Sequence, residues 1–453
     1  MLDDIRNGKD RSPEFFKQKY RNFGVARYKL KQLILRSLRL LNTSEDAERH
    51  IRDHLDNELI LYRKGLFDEA GKQLKAARKI AGDHQKLYRL LEILQRQQSR
   101  LIEYGDKKLK ESVVENAAEM ARVLAQLNQQ LAALCNYQQL FAAFRTEDVA
   151  GMTGQQRVSF PDDLPENVPL SFEAQVYHLQ TRSLLARSQR DWKAAGEAIA
   201  ETIALYQNPS HKAIREDQQD RYKILLANYA TYLVPVGKFH ELADIVLEFR
   251  QMNDSDFNGK AETFQNRVQL ELLWMVNTFD FSRLPELIEE IKAGFGEFGS
   301  KINAARQLSI RYNIVEAWVI QENFREARAW IDEILDQKKN KVRQEIQYVT
   351  RLMELLIYIE LELYDPLDAR ITAVERFLQR KDQMTPFKSG VVKVLRKLTG
   401  TPLNERKELF QDLHQTLQSL RDEMSVGDQL GLKIVSAWAE AKVRGCSIVE
   451  CLS

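Results

Sequence analysis

Three cysteines, Cys135, Cys446 and Cys451, are all that the 453-residue chain contains, and no two form a CxxC pair. Neither a disulfide framework nor a zinc site is indicated, which fits a reducing cytoplasm. Proline and glycine are also scarce, at ten and 19 residues, roughly half of the ordinary usage of about 12%. Sheet corners need residues that tolerate special backbone angles, so this scarcity argues against all-β and α/β folds and for long helices. No apolar run approaches the ~18 to 20 uninterrupted residues of a membrane span. The most apolar stretches, 224–236 and 352–363, are broken by Asn228, Glu354, Glu360 and Glu362. Charge of one sign is missing as well: 67 Lys and Arg against 65 Asp and Glu leave +2, so no global field draws the chain to nucleic acid.

Chemical motifs are equally sparse. Residues 294–299 read GFGEFG, but the dinucleotide fingerprint works between a strand and a helix. Here a helical pattern precedes it, so the glycines read as a helix-ending turn. His50 and His54 lie one helical turn apart beside Asp53, without a third histidine or an HExxH, and read as solvated positions of a charged helix. No GxSxG elbow occurs. No catalytic residue, cofactor or metal is assigned, and an enzyme is not expected.

A local pattern then repeats. An aromatic after a short polar or glycine turn is followed by apolar or small residues three, seven and ten positions later. Phe67 leads Ala70, Leu74 and Ala77; Trp192 leads Ala195, Ile199 and Thr202; Phe239 leads Leu242, Val246 and Phe249; Phe281 leads Leu284, Ile288 and Ile291. Phe324 leads Ala327, Ile331 and Ile334, Tyr364 leads Leu367, Ile371 and Val374, and Leu403 opens a degraded copy with Phe410 and Leu413. These offsets put each set on one stripe of a helix. From Trp192 to Leu403 the openers stand 47, 42, 43, 40 and 39 positions apart, a near-constant period expected of stacked helical repeats. A second apolar helix precedes each turn, as in 222–234, 264–276, 310–320 and 348–361, so the unit is helix, tight turn, helix.

At these residues, best seen in KGLFDEAGKQLKAARKIA at 64–81 and QENFREARAWIDEIL at 321–335, the chain resembles the tetratricopeptide repeat family. The likeness covers about 172–444 plus one unit near 44–81, with a period about six residues longer than the family's 34. Layout also resembles bacterial cytoplasmic proteins with degenerate repeats of this type. The resemblance implies an all-α fold, a right-handed α-α superhelix, that binds a protein or peptide along the inner face of its first helices. Eleven residues before the turn aromatic, where the family often uses asparagine to hold a peptide backbone, stand Asn228, Asn313 and Thr181. The lysine of the family's carboxylate clamp is absent, with Ala227 and Tyr312 in its places. Asn228 and Asn313 serve equally well as helix-to-helix hydrogen-bonding residues.

Two further features complete the plan. From Val113 through Ala117, Met120, Leu124, Leu127, Leu131 and Leu134 to Phe141, apolar residues alternate steps of four and three, with Gln138 as the interruption. This is a heptad seam on a helix that either lies along the chain's own helices, making a monomer, or pairs two copies. Between residues 17 and 39 eight basic residues and no acidic one interleave with apolar ones. This arm, with Lys29, Lys31, Arg36 and Arg39, either caps the first repeat or meets an acidic protein, a nucleic acid or an anionic membrane. The expected organisation is a basic helical region with one repeat over 1–105, the heptad helix over 106–146, a Pro/Gly loop over 147–170 and repeats over 171–453. Two functions follow: an interaction scaffold, or a regulatory sensor whose solenoid takes a small ligand or signalling peptide.

Overall fold

The computed structural model describes residues 23–41, 46–104, 109–145, 170–189, 191–254, 256–336, 343–402, 405–420 and 426–452. Among them are 20 α-helices, one 3₁₀ turn at Pro209–His211 and no strand. No described helix is long and apolar enough to cross a membrane. The Pro/Gly segment, opener Leu403 and the arm's first residues lie outside the described residues.

The chain divides into two compact units. The first holds α1 (Phe23–Leu41), α2 (Ala47–Arg63), α3 (Phe67–Asp83), α4 (Leu87–Tyr104) and most of α5 (Leu109–Arg145). Both units draw on α6 (Phe172–Ser188) and α7 (Trp192–Gln207), while α8 (Lys212–Asp217) belongs to the first. Helices α2, α3 and α4 pack in succession around Ile51, Leu55, Leu74, Ala77 and Ile93. Glu58, fully buried, accepts hydrogen bonds from Arg96 at 3.1 Å and Arg100 at 3.0 Å, so its charge is paired inside the unit.

Helix α5 runs unbroken for 37 residues, as the heptad spacing predicts. Its seam is only partly covered. Met120 and Leu127 pack on the cluster of Leu87, Leu94 and Val123, whereas Leu124, Leu131 and Phe141 remain 46%, 44% and 40% exposed. The buried stripe is turned one position from the seam, onto Asn116, Val123, Ala133 and Leu140. Asn116 takes that place because its amide donates to the Leu94 carbonyl at 3.0 Å and to Gln98 at 2.8 Å.

The second unit continues through α9 (Gln219–Leu233), α10 (Phe239–Gln251), α11 (Phe257–Thr278), α12 (Leu284–Phe298), α13 (Ala304–Ile320) and α14 (Phe324–Leu335). Then follow α15 (Gln344–Glu360), α16 (Tyr364–Arg380), α17 (Pro386–Gly400), α18 (Arg406–Leu420), α19 (Val426–Arg444) and α20 (Ile448–Leu452). Most neighbours in sequence pack together, and α11, α13, α15 and α17 also pack in that order on one another. Every stripe residue named from the sequence is buried. Five of the six described openers start a helix, at Phe67, Trp192, Phe239, Phe324 and Tyr364. The exception is Phe281: with Pro285 at the second position, the helix begins at Leu284 and Phe281 packs from the turn before it.

One backbone device makes the turns. The residue two before the opener has positive φ at Gly65 (77°), Gly237 (70°), Glu322 (59°) and Glu362 (55°). The next N–H reaches back five residues, from Leu66 to Leu61, Lys238 to Leu233, Asn323 to Trp318 and Leu363 to Tyr358, at 2.9 to 3.0 Å. This is the Schellman closure, which satisfies carbonyls left free at a helix end.

The glycines of GFGEFG lie inside α12, and Gly299 ends it. A Cβ built at Gly294 would overlap the ring of Phe264 on α11, which is itself buried against Phe298. Gly294 is therefore the point where α11 and α12 approach closely. In an open helix Gly→Ala stabilises by about 1 kcal/mol. Here overpacking wins, and Gly294→Ala is expected to destabilise by roughly 1–3 kcal/mol in urea denaturation.

Candidate functional site

The first helices α9, α11 and α13 each turn a polar edge to one cavity of about 560 Å³. Helix α9 supplies Ala227, Asn228 and Thr231, α11 supplies Asn266 and Gln269 above Leu270 and Leu273, and α13 supplies Arg306, Ser309 and Asn313. Spacings of three and four keep Asn228 with Thr231, Asn266 with Gln269, and Arg306 with Ser309 and Asn313 on one face of each helix. The opposite sides of these helices carry Leu226, Val268, Leu272, Leu308 and Val315, which are buried in the unit. Folding is thus driven by one side while the other presents amides.

Those amides are short of partners. Asn266 is 3% exposed, and its side chain makes no hydrogen bond with any described residue, nor do those of Asn228 and Asn313. Gln269 Oε1 is buried without a partner. A buried polar group left unpaired costs about 1–3 kcal/mol, which applies to Asn266 and Gln269, while Asn228 is exposed and Asn313 half-buried, so the cavity holds donors and acceptors that the fold itself does not use. Other polar groups are committed: Asn303 Oδ1 accepts from the Arg306 N–H at 2.9 Å and caps α13, and Ser309 donates to the Ala305 carbonyl at 3.0 Å.

Two arginines stand at the same end. Among the described residues Arg306 has no carboxylate within ion-pair distance; burial and the neighbouring Arg343 hold its guanidinium below the ordinary range, against an opposing pull from Glu262. Arg343, exposed just before α15 in a left-handed backbone conformation, pairs with Glu345.

One turn beyond Asn313 the same face of α13 carries Glu316, and there α19 lies over it. Helix α19 packs on α15 and α13 as well as on α18. Trp438 Nε1 and Lys442 Nζ both donate to Glu360 at 2.7 Å, Lys433 Nζ donates to Asn277 Oδ1 at 3.3 Å, and the Ile448 N–H donates to Glu322 at 2.8 Å. The chain's last long helix therefore fills the face of α13 and α15 next to the open cavity. Burial pushes the Glu316 carboxyl up to about 7, against the attraction of Lys433.

Asn228 and Asn313, chosen from the sequence, line one cavity. Thr181 stands on α6 and is not part of it. Lys29, Lys31 and Arg36 lie exposed on α1, and the side chain of Arg39 is outside the described residues. Asn266, Gln269, Arg306 and Arg343 were not legible from the eleven-residue register, because in α11 that position is Leu270. The signal that finds them is polar residues at helical spacing on otherwise apolar first helices. His54 Nδ1 is 2.7 Å from Gln73 Oε1, and no group of side chains among the described residues could hold a metal ion. Cys446 and Cys451 are free thiols with their Sγ atoms 3.1 Å apart. Compared with known proteins, the chain matches no family model, no curated protein and no solved structure.

The Glu316 site yields a pH test. Its folded pKa of about 7 lies above the ordinary 4.5, so the folded state holds the proton more tightly, and stability falls as pH rises through that interval. Glu316→Gln mimics the protonated form. It is expected to be more stable than wild type at pH 8 and equal to it near pH 4.5, measured by urea midpoints at both; the same gain at both pH values would contradict this.

Proposed function

We propose that the second unit is a right-handed superhelix of tetratricopeptide-like helix pairs, and that it serves as an interaction module holding a protein or peptide segment along its first helices. One observation carries the reading: Asn228, Asn266 and Asn313 from three successive first helices face one 560 Å³ cavity with their amides unused. An amide both donates and accepts, so three of them in a row match the repeating N–H and C=O of an extended backbone. A preformed surface lowers the ordering cost of binding. The repeated stripes, the near-constant spacing and the shared turn geometry support the repeat assignment.

The sensor reading has its own support. The cavity's volume falls in the range of small-ligand pockets, about 300–1,000 Å³, and α19 borders the same face, so an occupant there would meet an element able to respond.

Phage display of random peptides against wild-type protein tests the first reading. Peptides so selected are expected to lose tenfold or more in affinity for Asn228→Ala/Asn313→Ala, at about 1 kcal/mol per hydrogen bond lost. They should bind unchanged to a variant with Lys29, Lys31, Arg36 and Arg39 replaced by Glu. The reverse pattern would move the binding surface to the α1 arm, and a thermal-shift response to small metabolites without peptide binding would favour the sensor.

A further inference from the structure

We infer that the cavity selects acidic peptides, with a ligand carboxylate held by Arg306 beside Arg343; this deepens the proposed function and rests on it. The first ground is charge without a partner. Arg306 lines the cavity from α13, and it makes neither ion pair nor side-chain hydrogen bond with any described residue. Arg343 stands nearby but is itself paired with Glu345, and Glu262 offsets only part of the burial that disfavours the Arg306 charge, so the unused cation is Arg306. A desolvated guanidinium with its fork unused recognises carboxylate in a bidentate manner.

The second ground is independent of charge. Asn266, 3% exposed and unpartnered, faces the same cavity, and Gln269 Oε1 beside it is buried without a donor. A chloride or sulfate ion offers no hydrogen-bond donor to an amide oxygen. A peptide offers both, its backbone N–H groups to the oxygens and its carboxylate to Arg306. The N-terminus of α13 opens at the same place, adding a positive field of the kind helix ends present. An acidic segment is therefore the ligand that satisfies each unpaired group at once.

The carboxylate comes from an acidic side chain or from a chain terminus, and the test separates them. Fluorescein-labelled octapeptide pools built from Ala, Gly, Leu and Phe with Asp and Glu are compared with matched pools carrying Asn and Gln, by fluorescence anisotropy on the full chain. Each pool is made with a free and with an amidated C-terminus. The acidic pool is expected to bind roughly tenfold tighter or more, the advantage shrinking at high salt. Arg306→Gln should abolish that advantage while leaving weak binding of the amide pool, and Arg306→Lys should restore part of it. Circular dichroism and the urea midpoint of each variant should match wild type, since Arg306 holds no partner in the fold. An advantage kept by amidated pools assigns the side-chain carboxylate; one confined to free termini assigns the terminal one. Equal binding of acidic and amide pools, or an advantage that survives Arg306→Gln, would overturn the inference and leave the groove reading standing. No binding of any pool would overturn both.

Discussion

Everything in this protein depends on the burial of one stripe on each second helix. With offsets of three, four and three, side chains such as Ala327, Ile331 and Ile334 reach zero exposure, and a short helix has no other large source of stability in water. The stripe works only if the preceding turn aims it correctly. The left-handed residue two before the opener does this, and the chain accepts Glu322 and Glu362 in that conformation, at a cost of about 1–2 kcal/mol each relative to glycine. The turn geometry is thus kept even where the residue type disfavours it, which shows how strongly the packing it sets is favoured.

Because apolar stripes and the far sides of the first helices carry the fold, the remaining faces of α9, α11 and α13 are free of structural duty. They carry asparagine and arginine in places where leucine would pack. Further along the same succession, α19 occupies the neighbouring face, and its Trp438, Lys442 and Lys433 satisfy Glu360 and Asn277. The contrast between the two stretches is informative. Beside α19, Glu360 and Asn277 have partners; in the open cavity, the side chain of Asn266 and Gln269 Oε1 have none among the described residues. The open stretch is the part of the surface whose chemistry requires something from outside.

Much of this architecture is legible in the sequence because helical periodicity is a local property. A stripe announces itself through residues ten apart at most, and a glycine or polar turn marks its start. Phe281 was misplaced as a helix start because Pro285 allows the helix to begin only with Leu284. The heptad seam of α5 was legible as a long helix but not as a buried face: Asn116, with its two hydrogen bonds across to α4, rotates the contact away from Leu124 and Leu131. Half the site was readable by register, at Asn228 and Asn313. Asn266 lies one turn off that register, and Arg343 is brought in from the residue before a different helix, which only tertiary packing decides.

The central claim is that the cavity's amides belong to a ligand and not to the fold, and Asn266→Leu tests it most directly. Replacing an unpaired buried amide with an apolar side chain of similar size removes a desolvation penalty. The account predicts that the urea midpoint of Asn266→Leu equals or exceeds that of wild type while binding of selected peptides is lost. A loss of stability of more than about 1 kcal/mol, with peptide binding intact, would show that Asn266 serves the fold and would contradict the account.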